Sequence, residues 1–255
     1  MAPHLIHPCR LGTFRMTSAL IELEQIHFAY PGRDPVFDAL DLTVAAGDQI
    51  GLVAPNGSGK TTLFHLIMGL LKPTAGSVKL FGRPVHKEKE WHQARSKIGL
   101  LFQDSDDQLF NPTVIEDVTF GPLNLGKAPD EAVAVAEATL RSLGLGEYRD
   151  RITHKLSGGE KRLVALATIL AMQPEVLLLD EPATGLDGRT RDRIMEILSS
   201  IDAAYILISH DLELLNTLTS KVVTLENGRI NLEAEHHLHP HFHVHSHGKV
   251  PHRHG

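Results

Sequence analysis

The sequence predicts an α/β domain that binds phosphate groups and carries an inserted helical lobe. First, the apolar segment "QIGLV" precedes the glycine-rich "APNGSGK" and the helix-like "TTLFHLIMGLL", which is the strand–loop–helix unit of phosphate-binding domains. Second, "KIGLLF", "EVLLLD" and "AYILIS" are short apolar runs typical of parallel strands covered on both faces. Third, residues 103–157 change to a helical pattern.

The remaining elements follow from local periodicity. "ALIELEQI" and "FDALDLTV" have apolar residues at alternating positions, which predicts half-buried strands before the glycine-rich loop. "PDEAVAVAEATLRSLG" places Val133, Ala136, Leu140 and Leu143 at helical spacing, so these side chains are expected on the buried face of a helix. "VVTLENGRINL" predicts a hairpin, because an Asn-Gly pair suits a type I′ turn.

The composition excludes several classes of protein. A net charge of −6 gives no basic field for nucleic acid, and the single cysteine, Cys9, allows no intrachain disulfide. The longest apolar region, residues 163–179, is interrupted and falls short of the roughly 20 residues of a membrane span. The first residues lack the apolar core of a signal peptide, and Met16 is a candidate start. We predict an N-terminal extension (1–18), a main domain (19–235) with a helical subdomain at about 104–164, and a disordered histidine-rich tail (236–255).

The segment "APNGSGKTT" has the residues of a phosphate-binding loop. Its glycines let consecutive backbone N–H groups wrap phosphates at a helix N-terminus. Lys60 would reach the β- and γ-phosphates, and the Thr61 hydroxyl would ligate Mg²⁺. The usual pattern begins with glycine, where this chain has Ala54. The alternative, a glycine-rich turn before a helix, is disfavoured because the flanking strand and helix are in the required order.

Two carboxylates follow a buried strand. The run "VLLLD" ends in Asp180, and Glu181 comes next. Ligands bind at the carboxyl ends of parallel strands, so Asp180 is expected to hold Mg²⁺ through water and Glu181 to polarise the attacking water. A solvated strand end would look the same, and the presence of the phosphate loop favours the catalytic interpretation.

Four further motifs indicate a family. "LSGGEKR", "FQD", "ATGLD" and "LISHD" make the chain resemble an ATP-binding-cassette (ABC) ATPase from about Leu20 to Leu232. The resemblance implies a P-loop NTPase (RecA-like) core with an N-terminal antiparallel β subdomain and an inserted helical subdomain. It also implies a head-to-tail pair of cassettes, here a homodimer. Each ATP, with Mg²⁺, would lie between the phosphate loop of one copy and the signature loop "LSGGE" of the other.

The resemblance also implies roles for single residues. Gln103 would sense the γ-phosphate and ligate Mg²⁺ with Thr61 and Asp180, and His210 would join Glu181 and Gln103 in catalysis. Tyr30 would stack on adenine, and the alternative is a surface tyrosine at a strand end. For His210 the alternative is a histidine that caps a strand end. The nucleotide-binding set is Tyr30, Asn56, Gly57, Ser58, Gly59, Lys60, Thr61 and Thr62 of one copy with Ser157, Gly158, Gly159 and Asp187 of the other.

The segment "FQDSDDQLFNPTVIEDVTFGPLN", residues 102–124, resembles the same region of energy-coupling-factor importers, which take up vitamins, cobalt or nickel. In those ATPases the acidic turn and the following helix line a groove for helices of a membrane subunit. Thr113 suits an N-cap and Glu116 the matching capping-box position. An ordinary exposed helix is the alternative. The implied partners are a transmembrane coupling subunit and a substrate-binding membrane subunit, with this chain peripheral at the cytoplasmic face of the membrane.

The chain ends in "HHLHPHFHVHSHGKVPHRHG", in which six histidines occupy alternate positions. In an extended chain such residues share one face, and imidazole suits Ni²⁺, Co²⁺, Zn²⁺ and Cu²⁺ alike. Intervening apolar residues and a proline argue against a purification tag. A metal-handling segment and a metal-binding extension without a transport role both remain open. The candidate nickel or cobalt ligands are His237, His239, His241, His243, His245 and His247.

These observations predict the ATP-hydrolysing subunit of an energy-coupling-factor-type importer for nickel or cobalt. The energy subunit of a vitamin importer is the alternative within that class. A soluble ABC protein acting on DNA or ribosomes is disfavoured, because the chain has one cassette, no sustained heptads and no basic patch. A metal-storage protein would leave a complete nucleotide site unexplained.

Overall fold

The computed structural model describes residues 19–232, and the first layer is an antiparallel sheet. Its strand order is β2-β1-β4-β5. The strands are β1 (Ala19–Ala29), β2 (Pro35–Ala45), β4 (Ala75–Leu80) and β5 (Arg83–Pro84). Ile21 and Leu23 of β1 are buried, and after an irregularity in the pairing with β2 the buried side resumes at Ile26 and Phe28. The two predicted half-buried strands are therefore confirmed as β1 and β2, and they are longer than the quoted segments.

A six-stranded sheet forms the second layer, with the order β10-β9-β3-β8-β7-β6. The strands are β3 (Gln49–Val53), β6 (Ile98–Leu101), β7 (Val176–Asp180), β8 (Ala204–Ile208), β9 (Lys221–Glu226) and β10 (Arg229–Leu232). All neighbouring pairs are parallel except β9 and β10. Because β3, β7 and β8 are adjacent and parallel, the segments that follow them meet at one edge of the sheet.

Seven α-helices occupy the described residues. They are α1 (Lys60–Ile67), α2 (Glu88–Arg95), α3 (Val114–Asn124), α4 (Pro129–Ser142), α5 (Gly158–Leu170), α6 (Gly188–Ser199) and α7 (Leu212–Leu218). Helices α3, α4 and α5 lie between β6 and β7 in the chain and share one buried apolar cluster with the sheet. Within residues 19–232, none of the helices has the length and apolar character needed to cross a membrane.

Three local predictions can be compared with the structure. The hairpin is confirmed, since Asn227 and Gly228 both have positive φ, 50° and 73°. Helix α1 was expected to continue through "MGLL" but ends at Ile67, because Gly69 takes a left-handed φ of 66° against the ring of Trp91. In α4, Ala136 and Leu140 are buried as expected, but Val133 is only half-buried.

The reason for the shift in α4 is the spacing of its contact face. Ala132, Ala136 and Leu140 are buried and lie four residues apart, so they form one stripe along the helix. Val133 lies about 100° around the helix from Ala132 and falls at the margin of that stripe. The predicted N-terminal extension (1–18) and histidine-rich tail (236–255) lie outside the described residues.

Candidate functional site

The phosphate loop connects β3 to α1 and depends on two glycines. Gly57 and Gly59 have φ values of 79° and 101°, a left-handed region that disfavours other residues. A Cβ on Gly59 would also lie 2.6 Å from Val36 Cγ1 on β2. The loop therefore leads directly into the N-terminus of α1, whose first N–H groups and helix dipole favour an anion.

Ala54, which replaces the usual first glycine, fits this loop without strain. Ala54 is buried, and its φ is not positive, so this position does not need a glycine. Its carbonyl oxygen accepts a hydrogen bond from Lys60 Nζ at 3.1 Å. Lys60 Nζ is also 3.4 Å from Asn56 Oδ1, so the lysine folds along the loop that it follows. The departure from the usual pattern is therefore accommodated by the backbone.

Asp180 and Thr61 carry oxygen atoms of the kind that Mg²⁺ prefers, directly or through water. Asp180 ends β7 and is 5% exposed. Burial raises the pKa of its carboxyl, the charge of Glu181 adds to the rise, and Lys60 and the Thr61 hydroxyl oppose it. A buried carboxylate of this kind gains from a bound cation, and hydroxyl and carboxylate oxygens suit Mg²⁺. The residues at this site therefore fit the magnesium ion that the sequence predicts.

Gln103 lies in the same cavity as Thr61 and Asp180. This cavity, of about 800 Å³, is also lined by Gly158. The three predicted magnesium residues, Thr61, Gln103 and Asp180, are thus brought together from α1, the segment after β6, and β7. Their coordination of Mg²⁺ stays a prediction.

Glu181 has one carboxylate oxygen engaged and one free. Thr184 Oγ1 donates to Oε2 at 2.6 Å, while buried Oε1 has no hydrogen-bond partner among the described residues. The residue itself has a φ of 49°, a strained value for a non-glycine residue that is found disproportionately at functional sites. Oε1 is therefore a buried acceptor with no hydrogen-bond partner, close to the carboxyl edge of the sheet.

His210 follows β8 and contacts both the phosphate loop and Glu181. Its Nε2 lies 3.0 Å from Lys60 Nζ and 3.4 Å from Glu181 Oε1. An ammonium group only donates, so Nε2 accepts from Lys60 and the ring carries its proton on Nδ1. Asp211, rather than His210, caps the next helix, with its carboxylate accepting from Leu214 N at 3.1 Å. His210 therefore does not cap that helix.

Tyr30 lies beside the helix that follows the phosphate loop. Its hydroxyl is 3.1 Å from Thr62 Oγ1, and its half-buried ring packs edge-to-face on Phe28 at 5.0 Å between centroids. A neighbouring cleft of about 630 Å³ is lined by Arg33, Ser58 and Asn227, among others. Tyr30 is thus anchored in the fold, and its stacking on adenine stays a prediction.

The signature loop caps α5 in a reciprocal arrangement. Ser157 Oγ accepts from Glu160 N at 3.3 Å, and Ser157 N donates to Glu160 Oε2 at 2.8 Å. Glu160 also pairs with Arg151 at 2.9 Å. These contacts hold the Glu160 carboxylate at the start of α5. A Cβ on Gly158 would meet no atom within 4 Å, whereas one on Gly159 would touch the Thr190 side chain.

Asp187 is engaged within its own chain. It caps α6 by accepting from Arg189 N at 3.0 Å and Thr190 N at 3.1 Å. The Thr190 hydroxyl donates to it at 2.8 Å, and this bond is the largest cause of the lowered pKa of the Asp187 carboxyl. Its predicted contact across a dimer stays a prediction.

Sequence reasoning missed three buried or half-buried polar residues. Asp117, which is 3% exposed, accepts from Phe110 N, Asn111 N and Thr153 Oγ1. Gln108 joins Phe102 N to the Ala165 carbonyl. Arg162, inside "LSGGEKR", is 6% exposed. The available signal was an arginine directly before the apolar run "LVALA", where a charge needs buried partners.

The family is established by comparison with known proteins. Residues 37–184 match the family described as ABC transporter. The chain belongs to the ABC transporter family. As a member of that family it is an ATPase, and the phosphate loop, Asp180 and Glu181 described above are the parts that the resemblance predicted.

This ABC ATPase is similar to three proteins of named transport systems. The energy-coupling factor transporter ATP-binding protein EcfA of Methanothermobacter thermautotrophicus is 43% identical over 84% of this chain and 70% of its own. The cobalt import ATP-binding protein CbiO of Rhodobacter capsulatus is 43% identical over 84% and 78%. The structure of cbiO1 from Clostridium perfringens, part of the ABC transporter complex cbiONQ, has a TM-score of 0.76 and 31% identity, covering 84% of this chain and 88% of that one.

The site of this ABC ATPase is arranged for phosphoryl transfer to water. Lys60 and the N–H groups at the start of α1 would neutralise phosphate charge, and Mg²⁺ bound at Thr61 and Asp180 would add to that neutralisation. Glu181 Oε1 would accept a proton of the attacking water. His210 would hold its ring between Lys60 and Glu181, as its two contacts indicate. Together these predicted roles would carry out the hydrolysis of ATP to ADP and phosphate.

Proposed function

We propose that this ATPase powers an energy-coupling-factor-type importer of nickel or cobalt at the cytoplasmic face of the membrane. The observation that carries the proposal is the likeness to two ATP-binding proteins, one named for an energy-coupling factor transporter and one for cobalt import. The alternate histidines of residues 237–247 favour a late transition metal over a vitamin, because imidazole binds nickel and cobalt well.

An exposed apolar face on the helical lobe supports a membrane partner. We define the docking face as Phe110, Phe120 and Leu123, which are 64%, 44% and 42% exposed. The two phenylalanine rings pack edge-to-face at 4.8 Å. Exposed apolar groups that adjoin one another mark interaction sites in many proteins. The partner would present a helix of a transmembrane subunit to this face, as the importer resemblance of residues 102–124 implies.

The docking face is held in a fixed shape by a buried carboxylate. Asp117 Oδ1 accepts from Phe110 N at 3.1 Å and from Asn111 N at 3.0 Å. Asp117 Oδ2 accepts from Thr153 Oγ1 at 3.2 Å, in the segment just before the signature loop. A force applied to Phe110 would therefore reach that segment through one side chain. This arrangement supports transmission between a membrane partner and the ATP site.

The function is tested by uptake of radiolabelled Ni²⁺ and Co²⁺ in native cells. Cells with Glu181→Gln should lose uptake of one metal, because hydrolysis powers transport. A chain ending at Glu235 should bind less metal while retaining uptake, since the tail belongs to a subunit on the cytoplasmic side. Unchanged uptake of both metals in Glu181→Gln cells would refute the metal cargo, and labelled vitamins would then be the substrates to test.

Phe120→Asp should abolish uptake while the purified chain keeps its ATPase rate. The substitution adds a charge to the docking face without touching Lys60 or Glu181, so only coupling to the membrane partner is lost. Leu70→Asp is the matched control, because Leu70 is 55% exposed and follows α1 outside the docking face. Uptake and co-purification with membrane subunits give the result. Equal loss in both variants, or no loss in Phe120→Asp, contradicts the docking assignment.

A further inference from the structure

Arg162 is a buried cation close to the ATP site. It lies on α5 one helical turn after Gly158 and is 6% exposed. Arginine is rarely buried unless its guanidinium has partners, because removing the charge from water is costly. Its position one turn from the signature glycines places it on the side of α5 that carries Gly158. Both residues line the cavity that also contains Thr61 and Asp180.

The guanidinium of Arg162 binds the backbone on both sides of one residue. Nη1 donates to the Phe102 carbonyl oxygen at 2.5 Å, and Nη2 donates to the Gln103 carbonyl oxygen. These two carbonyls belong to the peptide groups that flank the Gln103 Cα. Because the orientation of the two peptide planes sets the direction in which the side chain leaves, the fork controls where Gln103 points.

Arg162 lines the same cavity as Thr61 and Asp180, two of the predicted magnesium residues. Burial lowers the pKa of the guanidinium, and the carboxylates of Asp104 and Asp180 act in the opposite direction. Nε of Arg162 is buried and has no hydrogen-bond partner among the described residues. The planar fork, rather than charge alone, therefore explains why arginine occupies this position.

We infer that Arg162 is a positioning residue that makes Gln103 move with the N-terminal part of α5. When α5 shifts, the two hydrogen bonds of Arg162 move the peptide groups on either side of Gln103 with the helix. The position of the signature loop therefore changes the direction of the Gln103 side chain. This inference rests on the function proposed for Gln103 at the γ-phosphate and Mg²⁺. It names the side chain that joins that residue to the signature helix.

A double-mutant cycle on the purified full-length chain tests the inference. The variants are Gln103→Ala, Arg162→Lys and the combination, and the readout is kcat for MgATP hydrolysis. Lysine keeps the charge but loses the fork, so Arg162→Lys should lower kcat about tenfold while KM for ATP changes less than about twofold. In the Gln103→Ala background, Arg162→Lys should lower kcat no further, because the residue it positions is gone.

Lys161→Met is the matched control, because Lys161 is the preceding residue of α5 and bridges to Asp106 at 2.5 Å without holding the Gln103 peptides. Its effect on kcat should be small and should multiply with that of Gln103→Ala. Arg162→Gln, which keeps one donor group, is measured in parallel and should show the same dependence on Gln103. Thermal unfolding confirms that each chain is folded, so the cycle is read on whichever Arg162 variant folds.

Multiplicative losses in the Gln103→Ala and Arg162 double variant would overturn the inference, since Arg162 would then act independently of Gln103. Wild-type kcat in Gln103→Ala would also overturn it, because there would be no function to position. The cycle measures hydrolysis alone. A failure of metal uptake would therefore refute the proposed cargo and leave this result unaffected.

Discussion

Glu181→Gln should bind ATP with near wild-type affinity and hydrolyse it at least about 100-fold more slowly, a loss of roughly 2.7 kcal/mol in transition-state stabilisation. Glutamine keeps the shape of the side chain and an oxygen for Thr184, but its amide cannot accept a proton from water. The unpartnered Oε1 is the atom whose chemistry changes. Steady-state phosphate release and equilibrium nucleotide binding, both on the purified chain, separate the two effects.

Glu175→Gln is the control for this result. Glu175 directly precedes β7, at the end opposite Asp180, and pairs with Lys97 at 2.7 Å on the surface. The same isosteric change there should leave kcat within about twofold of wild type, because exposed ion pairs contribute little. Hydrolysis by Glu181→Gln at a rate close to that of Glu175→Gln would remove Glu181 from the catalytic set.

Gly158→Asp should lower the ATPase rate about 100-fold without unfolding the chain, a loss comparable to removing a main oxyanion donor. An added Cβ at Gly158 meets no atom within 4 Å, so the fold has room for the side chain. The new carboxylate would lie at the N-terminus of α5, where the resemblance implies that the second copy's γ-phosphate binds, and like charges repel. Phosphate release and ATP-dependent dimerisation by light scattering are the measurements.

Gly146→Asp is the control for the signature variant. A Cβ there would make only an ordinary contact, 3.6 Å from Arg141 Cγ, and Gly146 lies in the helical lobe before the signature loop. This variant should dimerise and hydrolyse ATP like wild type. If Gly158→Asp does the same, the phosphates do not bind at this loop and the head-to-tail homodimer is wrong.

Most of the fold could be predicted because its signals are local. Strands β3, β7 and β8 are five mostly apolar residues each and lie between polar or turn-forming segments, which is the pattern of parallel strands. The end of α1 was missed because it depends on Gly69 packing against Trp91, a residue in another helix. In α4 only the first predicted position was wrong, since Ala132 rather than Val133 lies on the buried stripe with Ala136 and Leu140.

The site was predictable where a short motif carries the chemistry. Lys60, Asp180 and Glu181 each stand in a segment whose spacing has a physical purpose. Arg162 was not recognised because its partners are 60 and 59 residues away in the chain. The capping bonds of Asp187 show the opposite difficulty: a motif residue can have a complete set of local partners that the motif does not reveal.

The Lys60 ammonium has two potential partners, the His210 ring and the phosphates of the nucleotide. It donates to His210 Nε2 at 3.0 Å, and the same ammonium is the group that would meet the terminal phosphates. A phosphate that draws Lys60 away would leave Nε2 facing Glu181 Oε1, 3.4 Å distant, with a lone pair opposite a carboxylate. A hydrogen bond from Nε2 to Glu181 would require the tautomer that carries its proton on Nε2. Binding of the nucleotide would therefore change which tautomer of His210 is favoured, because Lys60 would exchange the histidine for a phosphate.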